Sequence, residues 1–241
     1  MEKSSVYFGV KSRFYDKYAR IQGEVADITA KFARDNSLSP HGLWLDLGSG
    51  TGFAKRSMLN NFGNINIISL DIALIAETDI CADFDKLPFT KGAFDGIISC
   101  SAMQWSRDIE ALLRGTREVL KADGRFVFSV FEQGTLDNLQ KTQIQFDIIP
   151  KVFFYDKNFF DDLLQKTGFR VLANESVTFS QKFPDAYSAL KSISGIGASD
   201  HGGDMLLPTQ LRRFVSQYER SFGGGEIVHD YKTVLYIAGK K

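Results

Sequence analysis

Leu43-Trp44-Leu45-Asp46-Leu47-Gly48-Ser49-Gly50-Thr51-Gly52 is the stretch that decides the fold. Leu43 to Leu47 reads as a strand, the glycines as a turn, and Gly52 to Asn61 as the helix that follows. Glycine adopts φ > 0 and lets backbone approach a ligand where a side chain would clash. Ligands on open α/β sheets bind beyond the carboxyl ends of the strands, near the switch in strand order. Dinucleotide folds space their glycines GxGxxG. Here the spacing is GxGxG, one residue tighter, with Asp46 two residues before the first glycine. Taken alone, this is equally an ordinary tight turn between strand and helix.

The pattern repeats outward from that turn. Ile65 to Leu70 reads as a second strand, ending at Asp71. Phe94 to Cys100 is a buried strand, a helix runs from about Asp108 to Leu120, and Gly124 turns the chain into a strand at Phe126 to Phe131. Short apolar runs alternating with helical patterns predict parallel βα units, hence a doubly wound α/β sheet. Helices are then expected at Thr135 to Phe146 and Lys157 to Lys166, and a strand at Phe169 to Phe179. Further helical patterns cover Pro184 to Ile193 and Pro208 to Tyr218, and Lys232 to Ala238 closes the sheet. Helices interrupting the late strands predict a lid over the carboxyl edge, at about 135–155 and 184–225. With no repeat, low-complexity linker or boundary, residues 1–241 read as a single domain.

Charge and composition narrow the function classes. The 29 basic and 29 acidic residues cancel, so nothing electrostatic points to nucleic acid or an anionic membrane as partner. Met1 to Arg20 has no apolar core of a signal peptide, and no apolar run nears the roughly 20 residues that span a bilayer. A cytoplasmic protein is expected. Cys81 and Cys100 form no CxxC pair and read as two buried, reduced thiols. His41, His201 and His229 show no metal spacing, and no metal is expected.

The GxGxG turn with its preceding Asp46 resembles motif I of the class I methyltransferases, which use S-adenosylmethionine. The resemblance implies a Rossmann-like, seven-stranded, mostly parallel sheet with an inserted helical lid. It places Asp46, Gly48, Gly50 and Gly52 at the aminoacid end of the cofactor. Asp71, after Ile67-Ile68-Ser69-Leu70, would bind the ribose hydroxyls, since a carboxylate accepts two hydrogen bonds from a vicinal diol. Ala82-Asp83-Phe84-Asp85-Lys86-Leu87-Pro88-Phe89 resembles the next motif, so Asp83 would accept from the adenine amino group and Phe84 flank the ring. Asp95, before its apolar run, is expected to be structural. One departure stands out: only eleven residues separate Asp71 from Asp83, where the family places a whole helix. A parallel crossover usually needs a dozen or more, so no helix longer than one turn is expected there.

Other segments are similar to one branch of that family, the malonyl-acyl-carrier-protein O-methyltransferases of biotin synthesis. They are Phe8-Gly9, Tyr15-Asp16, Ala19 and Gln22, then Ser101-Ala102-Met103-Gln104-Trp105, Gln133-Gly134-Thr135-Leu136, and Leu190-Lys191-Ser192-Ile193-Ser194-Gly195-Ile196-Gly197-Ala198. The resemblance implies methyl transfer to the free carboxylate of malonyl-acyl carrier protein. That carboxylate is ionised at pH 7, carboxyl pKa values being about 4, so no general base is assigned. Gln104 and Trp105 are the expected neutral donors at the mouth of the site, Tyr15 would close it from the N-terminal segment, and Lys191 is the first-choice cation for the distal oxygen. A core-packing Trp105, a Tyr15 that only anchors a terminal helix and an exposed Lys191 are the alternatives. Arg212-Arg213 and the helix face with Arg114, Arg117 and Lys121 are candidate docking charges for an acidic carrier, and equally plain solvated faces. The branch's arginine and aromatic after the inserted helix are here Phe153-Phe154-Tyr155, its lysine before the last segment is Ser194, and its N-terminal arginine is Val10. Two alternatives stay open. One is a methyltransferase of the same fold acting on a free small molecule. The other is a nucleotide-binding or nicotinamide-dependent protein, against which the tight GxGxG and Asp83 speak, or a non-catalytic cofactor binder.

Overall fold

A computed structural model describes residues 15–148, 152, 154–196, 208–223 and 225–241. The segments at Phe8-Gly9, Val10, Phe153, Gly197-Ala198 and His201 lie outside the described residues. A single seven-stranded sheet organises the chain. Its strands are β1 (Leu43–Leu47), β2 (Asn66–Asp71), β3 (Ile80–Cys81), β4 (Phe94–Cys100), β5 (Leu120–Phe131), β6 (Phe169–Phe183) and β7 (Ile227–Lys240). The spatial order is β3-β2-β1-β4-β5-β7-β6, with β1 to β5 parallel and β7 antiparallel to both its neighbours. Order reverses between β1 and β4, so the switch point falls at the glycine turn that ends β1.

Helices cover both faces. They are α1 (Arg20–Asp35), α2 (Phe53–Phe62), α3 (Ile109–Val119), α4 (Asp137–Gln145), α5 (Lys157–Lys166), α6 (Ala186–Gly195) and α7 (Pro208–Arg220). Alternation along the strands decides which helices meet which face. On β5 and β7, Phe126, Phe128, Val130, Val234, Tyr236 and Ala238 face Leu112 and Leu113 of α3 and Phe160 and Leu164 of α5. Their neighbours Val127, Leu235 and Ile237 face the other way, toward Ala30 and Ala33 of α1 and Ala54 and Met58 of α2. Asp108, Asp156 and Asp185 cap α3, α5 and α6, each accepting a backbone N–H of the first turn. Among the described residues, no helix is long and apolar enough to cross a membrane.

Four details differ from the sequence reading. β5 starts at Leu120, not Phe126; the chain keeps pairing with β4 through a register shift near Phe94 and Gly96. β6 and β7 are longer than expected, and β7 runs past Phe131, where β5 stops. β3 is an added strand of two residues. Cys81 is exposed, not buried; Cys100 is the half-buried thiol, and burial pushes it up to about 12. The segment between Asp71 and Asp83 holds bends and turns but no helix, as its length predicts. It is pinned to β2 by Asp79, whose carboxylate accepts from the Ser69 amide at 2.8 Å and from Lys55 at 3.0 Å.

A third apolar cluster lies over the carboxyl edge. Ile21 and Val25 of α1 join Phe131, Leu139 of α4, Ala189 and Ile193 of α6, Phe214 and Tyr218 of α7, and Ile227 and Tyr231 of the β7 extension. The helices within 135–155 and 184–225 thus pack on one another, with Phe146 and Phe214 edge to face at 5.4 Å.

Candidate active site

The glycine turn is built by backbone geometry. The amides of Gly48 and Ser49 both donate to the carbonyl of Leu70, at 2.9 and 3.0 Å, so the turn leaves β1 braced on the end of β2. Gly48 has φ 73°, and a Cβ there would lie 2.5 Å from the Cβ of Ala102, so only glycine lets the turn sit against the chain after β4. Gly50, at φ 49°, donates its amide to Oδ2 of Asp71 at 2.8 Å, while Oδ1 accepts from Ala73 at 2.9 Å. Burial raises the Asp71 carboxyl above its usual range, opposed by the amides of Ala73, Gly50 and Ile72.

Asp46 lies beneath the turn. It is fully buried, and Oδ2 accepts the Lys55 amide in the first turn of α2 at 3.1 Å. Burial pushes its carboxyl up to about 7, the Lys55 amide opposing and the Asp71 charge adding to the rise. Oδ1 has no hydrogen-bond partner among the described residues. Asp46 and Gly52 shape the turn without reaching the cavity wall described next.

Above the strand ends lies a cavity of about 430 Å³. Gly48, Ser49, Gly50 and Thr51 form one part of its wall, with Asp71 beside them and Ile72, Ile75, Asp83 and Phe84 beyond. Ser49 is buried there, its hydroxyl without a hydrogen-bond partner among the described residues. Asp83 uses Oδ1 to cap a short 3-10 turn by accepting the Asp85 amide at 3.0 Å. Asp85 in turn ties this corner to Ser106 at 2.6 Å. The N-terminal segment closes the far side: Thr51 donates to Asp16 at 2.5 Å, and Tyr15 lines the cavity. Burial, then the charges of Asp71 and Asp16, hold the Tyr15 hydroxyl above its usual range, so it is an O–H donor at neutral pH. This lining fits S-adenosylmethionine. A glycine cradle that a Cβ would fill, an unpartnered buried hydroxyl, a carboxylate and an aromatic ring with isoleucines suit an aminoacid end, a ribose and a purine.

A second, smaller chamber of about 100 Å³ adjoins the first. Tyr15, Gln22, Ser101 and Trp105 line both. Its other walls come from α4 and its lead-in (Thr135, Leu136, Leu139), from Phe131 and Tyr231 at the strand ends, and from Ile193 and Ile196 of the α6 segment. Two residues with left-handed backbone, Ser101 (φ 53°) and Leu136 (φ 53°), stand on this wall. Gln104 lines the chamber too, but its amide nitrogen donates to the Ser101 carbonyl at 2.8 Å and its buried oxygen has no partner among the described residues.

The expected residues are therefore only partly brought together. Tyr15, Gln104 and Trp105 meet at the second chamber, and Gly48, Gly50, Asp71, Asp83 and Phe84 at the first. Lys191 is not at the site: it is exposed on α6, 5.9 Å from the Tyr187 ring. The reason is helical phase, since Ala186, Ala189 and Ile193 form the buried stripe and Lys191 falls off it. No lysine or arginine lines the second chamber among the described residues; Arg107 lines the first. Nor are Arg114, Arg117 and Lys121 free docking charges, for they bind Glu110, the Gly168 carbonyl and Asp95. Asp95 also accepts the Leu43 amide at 2.8 Å, which makes it structural. Gln22, Thr135 and Tyr231 were not singled out from the sequence. Gln22 and Thr135 had a signal there, each in a branch motif segment, with Gln22 one α1 turn from buried Val25.

A family model described as a methyltransferase domain matches residues 15–174. Among curated relatives, the malonyl-[acyl-carrier protein] O-methyltransferase of Halorhodospira halophila is 29% identical, over 88% of this chain and 77% of the relative. The protein of the same name from Bacillus anthracis is 27% identical, over 91% of this chain and 89% of its own length. Of solved structures, the YcgJ protein of Bacillus subtilis superposes with a TM-score of 0.59 at 14% identity, covering 88% of this chain and 98% of that one. A geranyl diphosphate C-methyltransferase from Streptomyces coelicolor, solved with S-adenosyl-L-homocysteine, gives 0.53 at 14% identity, covering 88% and 76%. At such identities the structural likeness shows the fold.

Proposed function

Because this chain belongs to the methyltransferase-domain family, we propose that it methylates the free carboxylate of a malonyl group on acyl carrier protein, with S-adenosylmethionine as donor. The product would be the methyl ester that primes biotin synthesis. One observation carries the reading: two cavities meet at the carboxyl edge of the sheet and share Tyr15, Gln22, Ser101 and Trp105 as common wall. One cavity suits the cofactor, the other a short acyl end. The choice of acyl group is supported by the names of the relatives, which span most of the chain.

When bound, S-adenosylmethionine supplies an electrophilic methyl on cationic sulfur, which keeps the bond pair as a neutral thioether when the carboxylate oxygen takes the methyl; no proton changes hands. The protein's residues then have three tasks. The first is to hold the cofactor, which falls to Gly48, Ser49, Gly50, Asp71, Asp83 and Phe84. The second is alignment, which contributes roughly 7–11 kcal/mol in well-oriented systems. Tyr15 and Trp105 stand at the shared wall for this, Tyr15 as a neutral donor that leaves the attacking oxygen nucleophilic. The third is to keep water out, through Phe131, Leu139, Phe154 and Ile193 around the second chamber. The segments at 135–155 and 184–225 act in this reading as the lid.

Labelled methyl transfer to malonyl-carrier protein, a malonyl-thioester analogue and free malonate, run in parallel, tests the reading. Transfer to the carrier-bound and thioester acceptors, well above free malonate, is expected. Preference for free malonate, or for none of the three, would favour a free small-molecule acceptor.

A further inference from the structure

We propose that Ser101 is a substrate-positioning residue whose hydroxyl donates a hydrogen bond to the carboxylate being methylated. This rests on the functional reading above and adds a residue to it. Ser101 is the first residue beyond β4, and its amide still donates to the Ser129 carbonyl of β5 at 3.0 Å. The chain there takes the left-handed conformation, φ 53°, which disfavours any residue with a Cβ. Glycine would make the same turn without that cost, so the serine needs another reason to be there. Strain of this kind collects where surrounding structure holds a side chain for use.

The surroundings of the side chain supply that reason. The Ser101 Oγ is buried and has no hydrogen-bond partner among the described residues, although buried polar groups nearly always have one. Ser101 lines both cavities, so the residue stands at the junction where a methyl must pass from donor to acceptor. Among the described residues, one other unpartnered buried side-chain atom belongs to the second chamber, Oε1 of Gln104, and it is an acceptor, useless to an ionised carboxylate. Gln104 instead fixes the turn, holding the Ser101 carbonyl through its amide nitrogen at 2.8 Å. With no cation on the described wall of that chamber, neutral donors are the groups that orient the oxygen without quenching it, and Ser101 joins Tyr15 and Trp105 in that role.

Ser101→Gly is the decisive variant, because it removes the hydroxyl while relieving the backbone. Wild-type turnover of malonyl-carrier protein comes first; its absence would overturn the functional reading and this assignment with it. Given that turnover, Ser101→Gly and Ser101→Ala should both lose roughly ten- to hundredfold in kcat/KM, the scale of a lost hydrogen bond to a charged acceptor. Affinity for S-adenosylhomocysteine, read by calorimetry, should stay within about twofold, and the Ser101→Gly melting midpoint should match or exceed wild type. Ser101→Asn, which tolerates the left-handed region and carries a donor, should recover part of the loss. Wild-type kcat/KM in Ser101→Gly would overturn the assignment and leave Ser101 a strained turn.

Discussion

Gly50 donates its amide to Oδ2 of Asp71 across 2.8 Å, so the carboxylate that ends β2 also holds the glycine turn that ends β1. A ribose-binding carboxylate and a cofactor-cradling turn are therefore one unit. Asp71→Ala should weaken S-adenosylhomocysteine binding by about tenfold or more, combining a lost charged acceptor with a loosened turn. Asp71→Asn, which keeps one acceptor oxygen, should fall between. Calorimetry on folded protein checks this, and an unchanged affinity for Asp71→Ala would remove Asp71 from the site.

The turn makes a second, steric prediction. An alanine methyl at Gly48 would stand 2.5 Å from the Ala102 Cβ, whereas one at Gly50 meets nothing within 4 Å. Gly50→Ala should bear only the left-handed backbone penalty, roughly 1–2 kcal/mol. Gly48→Ala adds an overpacking cost of about 1–3 kcal/mol to the same penalty. Thermal or denaturant unfolding should rank Gly48→Ala as the less stable variant. The reverse order would contradict the packing of β1 against the segment after β4.

Lys191→Met should leave kcat/KM for malonyl-carrier protein within about twofold of wild type, since exposed charges away from a site change little. A large loss with cofactor affinity unchanged would mean that Lys191 reaches the substrate after all.

How much of this was legible in the sequence follows from which forces act locally. β1, β4 and α5 stand at their expected residues because apolar runs, caps and glycines mark them. β3 left no trace, since two residues carry no alternation and Ile80–Cys81 is a strand only by pairing with Leu70 and Asp71. The turn was readable from its glycine spacing, whereas Asp71, Asp83 and Phe84 were readable only through the resemblance to class I methyltransferases. Ser101 was readable as part of a motif, but not as a residue of interest, because its φ and its unpartnered hydroxyl arise from β4, β5 and Gln104 together. Lys191 stands off the buried stripe of α6, in line with the exposed alternative that the sequence left open for it. Ala186, Ala189 and Ile193 already marked the buried face of α6 in the sequence.

His229 predicts a pH effect on stability. It is buried beside Tyr218, whose hydroxyl lies 2.6 Å from Nε2, and burial lowers its pKa from 6.5 to about 4. A base with a depressed folded pKa is stabilising above the unfolded value and loses that contribution as pH falls from 6.5 toward 4. The full contribution is about 3 kcal/mol. Asp46 acts with opposite sign: its pKa rises from 3.8 to about 7, so its contribution is lost as pH rises through that window. The test is thus the difference between wild type and His229→Gln, measured by denaturant unfolding from pH 7 to 4.5. Wild type should lose ground against the variant as pH falls; a constant difference would contradict the buried neutral imidazole.

The central claim is a carboxylate methylation on a carrier-bound acyl group, and intact mass spectrometry of the carrier tests it most directly. Malonyl-carrier protein incubated with this enzyme and S-adenosylmethionine should gain the mass of one methylene. The gain should sit on the malonyl part of the malonyl-pantetheine arm, located there by fragmentation of the ejected arm. An unchanged malonyl-carrier mass, under conditions where S-adenosylhomocysteine binds the enzyme, would contradict the account.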